Sequence, residues 1–125
     1  MINIKQELEV AKGASEIASA LLIDNKDNIN KILSNEGRDV KLKADLESEK
    51  VIKEYLLANS NFPILAEESG ANQDLGNSFW VVDPLDGTSN YSRDFPMCCI
   101  SIALIYEKEI TLGVINDFNR SSLYE

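Results

Sequence analysis

Two aspartates separated by a proline and a leucine form the first candidate site of the sequence. Asp83 and Asp86 lie in the run WVVDPLDGTSNY, and Pro84 restricts the backbone between them. A rigid turn can direct two carboxylates and the carbonyl oxygen of Leu85 into one small volume. Hard cations such as Mg²⁺ prefer these oxygen ligands. The run therefore predicts a divalent-metal site.

The residues after the second aspartate are suited to binding an anion. Gly87 and Thr88 are followed by Ser89-Asn90-Tyr91, a stretch that can open a short helix. Backbone N–H groups at a helix N-terminus bind phosphate. Carboxylates for a metal beside N–H groups for an anion are the outline of a phosphate-ester site.

A second acidic pair lies upstream. Glu67 and Glu68 end the apolar run PILAEE, and if this strand lies near FWVVD, both acidic ends meet at one edge of the sheet. Converging carboxylates repel each other unless cations neutralise them. The alternative is that 83–87 is an ordinary loop and the glutamates are a solvated edge. The pattern alone leaves both interpretations open.

Composition excludes several classes of function. The net charge of −9 disfavours a nucleic-acid polymer or an anionic membrane surface as partner, because both attract basic surfaces. The absence of histidine excludes Ser-His and Cys-His triads, histidine phosphotransfer and most zinc sites. Cys98 and Cys99 are adjacent in the apolar run MCCISIALIY, which predicts reduced core residues of a strand.

The length of 125 residues predicts a single domain over 1–125, or a piece of a larger one. No apolar run approaches the roughly 20 residues that span a bilayer, and the N-terminus lacks the apolar core of a signal peptide. We therefore expect a cytoplasmic protein.

The first half of the chain predicts two helices. Apolar residues at steps of three and four predict a helix over 2–23, in which Gly13 indicates close packing against a neighbour. The polar stretch 24–39 predicts irregular structure or a short helical extension. DLESEKVIKEYLLANS predicts a second helix, with Asp45 as its N-cap and Glu47 and Glu49 favouring the positive N-terminal end.

The second half predicts strands. PILAEE and FWVVD read as short strands, and the latter ends at Asp83. MCCISIALIY and EITLGVIND are β-rich runs around a Glu107-Lys108 turn, and SSLYE begins another strand. Two helices packed on a mainly antiparallel sheet are an α+β layered arrangement. Because the sequence stops within a predicted strand, we expect an incomplete portion of a larger fold.

ILAEESG followed by WVVDPLDGTSNY resembles the inositol monophosphatase family of Mg²⁺-dependent, lithium-sensitive-type phosphatases. The family pattern is a Glu-Glu pair, then an apolar strand into D-P-[IL]-D-G-T-x-N-[FY]. KADLESEKVIKEYL resembles the family's helix that begins with an aspartate. The likeness covers essentially the whole chain and implies the N-terminal portion of a layered αβαβα-type sugar-phosphatase fold.

The resemblance implies a role for each matching position. Glu67, Asp83, the backbone oxygen of Leu85 and Asp86 are expected to hold two or three Mg²⁺ ions. Leu85, Asp86, Gly87 and Thr88 are expected to bind the phosphate. Asp45 and Thr88 match the pair that orients and deprotonates the attacking water, and Glu68 is expected in the outer shell.

The implied function is Mg²⁺-dependent hydrolysis of inositol monophosphate or a related sugar or polyol phosphate by metal-activated water. Relatives in the same superfamily act on 3′(2′),5′-bisphosphate nucleotides or fructose 1,6-bisphosphate, and Ser89-Asn90-Tyr91 is closer to the inositol phosphatase form. The resemblance also implies a homodimer. Family members are about twice as long, and a later Trp-Asp motif completes their second metal site. Trp80 is the single tryptophan here, so a truncated, catalytically silent metal-binding module is the competing interpretation.

Overall fold

Two long helices occupy the first half of the chain. The computed structural model describes residues 2–26, 32–36, 39–71, 73–93, 95–120 and 122–124. Helix α1 spans Ile4–Asp24, and the side chain of Asn3 caps it by accepting from the N–H of Gln6. Helix α2 spans Lys43–Asn59 and ends at Ser60, whose N–H donates to the carbonyl of Leu56. Both predicted helices are confirmed.

The strands form one sheet of six and one hairpin. The hairpin pairs β1 (Ile32–Glu36) with β2 (Asp39–Leu42). The six-stranded sheet has the order β4-β3-β5-β6-β7-β8. Its strands are β3 (Ile64–Ala66), β4 (Gly70–Ala71), β5 (Phe79–Asp86), β6 (Cys99–Tyr106), β7 (Glu109–Asp117) and β8 (Ser122–Tyr124). All of its pairings are antiparallel except β3 with β5, which run parallel. A short helix α3 (Thr88–Ser92) follows β5.

Both long helices pack on one face of the sheet, as predicted for an α+β layered fold. Alternate residues of β5, β6 and β7 are buried beneath them. Ser15 of α1 accepts a hydrogen bond from Asn116 of β7 at 3.3 Å, and the indole N–H of Trp80 donates to the hydroxyl of Ser60 at 3.0 Å. In the part of the chain that the structure describes, no helix is long and apolar enough to cross a membrane.

The predicted close approach at Gly13 is confirmed. A Cβ added to Gly13 would clash with the hydroxyl oxygen of Tyr55, so α1 and α2 contact each other closely at this point. The predicted turn at Glu107-Lys108 is also confirmed. Both residues have positive φ, 50° and 71°, which matches a two-residue hairpin turn that follows the twist of the strands.

Three local predictions were wrong. The stretch 24–39 was expected to be irregular or helical, but it contains β1 and the start of β2; residues 27–31 and 37–38 lie outside the described ones. Asp45 is not the N-cap of α2: the helix begins at Lys43, after Leu42, and Asp45 lies in its first turn. Strand β5 does not end at Asp83 but continues to Asp86 across an irregularity in its pairing with β6.

Candidate active site

Parallel pairing brings two of the predicted metal ligands together. Trp80 and Val82 of β5 lie opposite Ile64 and Ala66 of β3, and the ladder continues as the N–H of Glu67 donates to the carbonyl of Val82 at 3.2 Å. Because both strands run in the same direction, their carboxyl ends meet at one edge of the sheet. Glu67 follows β3 and Asp83 follows the last β5 residue paired with β3, so the two residues are neighbours.

The proximity of Asp83 changes the protonation of Glu67. The hydrogen bond with Asp83 is the largest cause that raises the pKa of Glu67, from 4.5 to about 8. Burial, the negative charge of Asp83 and then the charges of Glu68 and Asp45 raise this pKa further. Like charges this close cannot both ionise without a compensating cation.

The donor set fits Mg²⁺. Among the described residues, no three acidic or cysteine side chains converge closely enough to form a complete metal cage. Mg²⁺ does not need one, since proteins usually hold it with one or two carboxylates and leave several waters in place. Glu67 and Asp83 are such a pair, and they line an open cavity of about 480 Å³ on the sheet face opposite the helices.

The backbone between the two aspartates is the irregular part of β5. The N–H of Leu85 donates to Oδ1 of Asp83 at 3.3 Å, while the side chain of Leu85 is buried. Only the backbone of Leu85 is therefore available to the site, as its predicted role requires. The irregularity in β5 falls between Asp83 and Asp86 and includes Pro84, which has no N–H to donate to a ladder.

Asp86 is the last residue of β5. Its side chain is exposed and lines a second open cavity, of about 460 Å³, together with Gly87, Cys99 and Asp117.

Cys99 was predicted to be a core residue, but it is partly exposed, and its Sγ lies 3.8 Å from Oδ2 of Asp86. Burial, followed by the charge of Asp86, raises the pKa of the Cys99 thiol to about 11, so the thiol stays protonated at neutral pH. Cys98 is buried, as predicted, and both cysteines are free.

Gly87 makes the turn from β5 into α3. Its φ is 88°, and a Cβ at this position would lie 2.6 Å from the carbonyl oxygen of Met97 and 3.1 Å from the Cα of Cys98. Both the conformation and the space therefore require glycine. Thr88 is the first residue of α3, and N–H groups of a first helical turn have no acceptor within the helix.

Asp45 and Thr88 meet, as predicted. The hydroxyl of Thr88 lies 2.8 Å from Oδ1 of Asp45 and 3.1 Å from the carbonyl oxygen of Leu85, and it has one proton for the two acceptors. The other oxygen of Asp45 accepts from the N–H of Leu42 at 2.8 Å. Burial raises the pKa of Asp45, and the charge of Glu68 raises it too, while the two hydrogen bonds lower it.

Tyr91 anchors α3 to the rest of the fold. Its hydroxyl donates to the carbonyl of Leu22, in the last turn of α1, at 2.7 Å. Its ring packs edge-on against Phe118, with the ring centroids 6.3 Å apart. The segment that carries Gly87 and Thr88 is thereby fixed to α1.

Two polar residues of α2 that contact this site were missed in the sequence. Ser48 donates to the carbonyl of Pro84 at 2.7 Å, and Glu49 accepts from the N–H of Glu68 at 2.8 Å. Both side chains are buried. The available signal was their spacing, since residues three and four positions after Asp45 lie on the same face of a helix.

Comparison with known proteins gives a consistent match. The model described as the inositol monophosphatase family matches residues 3–125. The inositol-1-monophosphatase of Synechocystis sp. is 35% identical over 98% of this chain and 44% of its own length. The Nus factor SuhB of Xylella fastidiosa is 40% identical over 92% of this chain and 42% of its own.

A solved structure agrees with these sequence matches. The inositol monophosphatase from Anabaena (Nostoc) sp. superposes with a TM-score of 0.79 and is 31% identical, over 98% of this chain and 44% of that one. The chain thus spans less than half the length of the relatives it matches.

Proposed function

Because this chain belongs to the inositol monophosphatase family, we propose that it carries the metal-binding half of a Mg²⁺-dependent phosphomonoester hydrolase. The substrate is inositol monophosphate or a related sugar or polyol phosphate. The observation that carries the proposal is the parallel pairing that brings Glu67 beside Asp83, because the neighbouring charge of Asp83 raises the cost of ionising Glu67. A bound divalent cation removes that cost.

Each residue near the pair has a role in this proposal. Glu67, Asp83 and the carbonyl of Leu85 would hold the first of two or three Mg²⁺ ions, and Asp86 would contribute to the second. Bound Mg²⁺ lowers the pKa of a coordinated water and neutralises charge on phosphoryl oxygens. The N–H groups of Gly87 and Thr88 would receive the phosphate, as first-turn N–H groups do.

Asp45 and Thr88 would orient the attacking water. Their 2.8 Å hydrogen bond fixes the Thr88 hydroxyl, and the second oxygen of Asp45 is occupied by the N–H of Leu42. A proton taken from water by Thr88 can pass to Asp45, whose pKa is raised by burial. A cytoplasmic homodimer belongs to the same proposal.

The test is phosphate release from inositol monophosphate by the chain, titrated with Mg²⁺. We expect turnover that requires Mg²⁺ and is abolished by Asp83→Asn. Asp24→Asn removes the same charge at an exposed position outside the site and should leave turnover unchanged. Turnover without Mg²⁺, or turnover that survives Asp83→Asn, would contradict the assignment.

A second candidate is a binding role without turnover. The relative from Xylella fastidiosa is named a Nus factor rather than a phosphatase, and the chain spans 42% of it. Saturable Mg²⁺ binding that Asp83→Asn removes, with no phosphate release at any Mg²⁺ concentration, would favour this candidate.

A further inference from the structure

One face of α2 contacts the acidic segments through a series of hydrogen bonds. Asp45 accepts from Thr88, Ser48 donates to the carbonyl of Pro84, and Glu49 accepts from the N–H of Glu68. These three residues are spaced at i, i+3 and i+4, so they share one helix face. One turn further along, Lys53 donates to the hydroxyl of Ser69 at 3.0 Å.

The partners of Ser48 and Glu49 are backbone groups of the two segments that carry the paired carboxylates. Pro84 directly follows Asp83, and Glu68 directly follows Glu67. Ser48 is fully buried and Glu49 is 5% exposed, so neither side chain can readily replace its partner with water.

We propose that Ser48 and Glu49 are positioning residues that fix the separation of the Glu67 and Asp83 segments, with α2 as the rigid spacer. This inference rests on the proposed function, because the separation matters only if the two carboxylates bind a common cation. Glu49 holds the Glu67 segment through the N–H of Glu68, and Ser48 holds the Asp83 segment through the carbonyl of Pro84. Neither residue is a metal ligand in this assignment.

The first arm of the test needs no metal. Amide hydrogen exchange is measured in the metal-free full chain for Glu49→Leu, Glu49→Gln and Ser48→Ala. Glu49→Leu removes the acceptor, so exchange at the Glu68 N–H should be about 10- to 100-fold faster, whereas Glu49→Gln keeps an accepting oxygen and should exchange nearly as the wild type does. Ser48→Ala should speed exchange at the N–H groups of Leu85 and Asp86 and leave exchange at Glu68 unchanged.

The second arm measures Mg²⁺ affinity by titration calorimetry at a temperature where every variant is folded. Loss of a group that orients a metal ligand typically weakens binding about 10- to 100-fold, which we expect for Glu49→Leu but not for Glu49→Gln. The matched control is Glu54→Leu, an exposed position on the same helix, which should change neither exchange at Glu68 nor Mg²⁺ affinity.

Three results would overturn the inference. Equal losses in Glu49→Leu and Glu49→Gln would mean that the charge of Glu49, not its hydrogen bond, matters. A lower unfolding midpoint with unchanged Mg²⁺ affinity would make the role purely structural. Unchanged exchange at Glu68 would show that Glu49 does not hold the segment. Failure of the wild type to bind Mg²⁺ would instead refute the proposed function, and the exchange arm would still decide whether Glu49 holds the segment.

Discussion

Replacing Gly87 by alanine tests the backbone geometry that joins the carboxylate-bearing strand to the phosphate-binding segment. At φ 88° an alanine is strained, which costs about 1–2 kcal/mol. Its Cβ would also meet the carbonyl oxygen of Met97 at 2.6 Å and the Cα of Cys98 at 3.1 Å. Both are backbone atoms that cannot rotate away, so overpacking adds about 1–3 kcal/mol. We therefore expect Gly87→Ala to lower the free energy of unfolding by about 2–5 kcal/mol.

Urea denaturation measures this loss, and Trp80 provides the signal. Trp80 is the single tryptophan and is fully buried, so its fluorescence reports loss of the core. Gly76→Ala is the matched control, because Gly76 also has a positive φ, 59°, but a Cβ there would have no heavy atom within 4 Å. The free energy of unfolding of this control should fall only by the cost of the strained backbone conformation, about 1–2 kcal/mol.

The difference between the two variants isolates the steric part. If Gly87→Ala costs no more than Gly76→Ala, the close approach of residues 97 and 98 is refuted. If both variants are neutral, the positive φ values are refuted as well. An unchanged dependence of the unfolding free energy on urea concentration would show that neither variant alters the surface exposed on unfolding.

Two further predictions concern proton binding and helix packing. The pKa of Glu67 is about 8 in the folded metal-free chain and 4.5 in the unfolded chain, so folding favours the protonated side chain. The stability that this protonation contributes is complete below pH 4.5 and is lost as the pH rises to 8. Because the proton competes with the metal, Mg²⁺ affinity at pH 7 should be about tenfold below its value well above pH 8. Glu67→Gln should remove this stability loss between pH 5 and 8, and a wild-type slope in the variant would contradict the assignment. Gly13→Ala should destabilise by about 1–3 kcal/mol through overpacking against Tyr55, partly offset by the roughly 1 kcal/mol that alanine gains in a helix. Tyr55→Leu should relieve the loss in the double variant, and a stabilised Gly13→Ala chain would contradict the close helix contact.

The sequence predicted the elements that are specified locally. The β6–β7 hairpin and both long helices follow from side-chain periodicity and turn residues, which act over a few positions. The Asp83–Asp86 segment was predicted to be a turn, but it is the irregular end of β5. The meeting of Glu67 with Asp83 required the additional assumption that two strands are neighbours, which the parallel pairing bears out.

What the sequence did not reveal depends on tertiary contacts. Strand β1, ILSNE, lacks the alternation of apolar and polar residues that identifies a strand, so the polar stretch gave no signal for it. Asp45 has the chemistry of an N-cap, but it accepts from the N–H of Leu42 as a residue of the first helical turn. Glu49 was assigned to the helix dipole, because its partner, the N–H of Glu68, lies on a distant segment.

The hydrogen bonds that assemble the site join residues far apart in the chain. Glu49 and Glu68 are separated by 19 positions, Ser48 and Pro84 by 36, and Asp45 and Thr88 by 43. Closing loops of this length loses chain entropy before any contact can offset the loss, whereas the β6–β7 hairpin closes over two residues. We therefore expect the hairpin to form early during folding and the site to form after the folding barrier has been crossed. Interactions made that late slow unfolding more than they speed folding, so the residues that build the site also lengthen the lifetime of the folded chain.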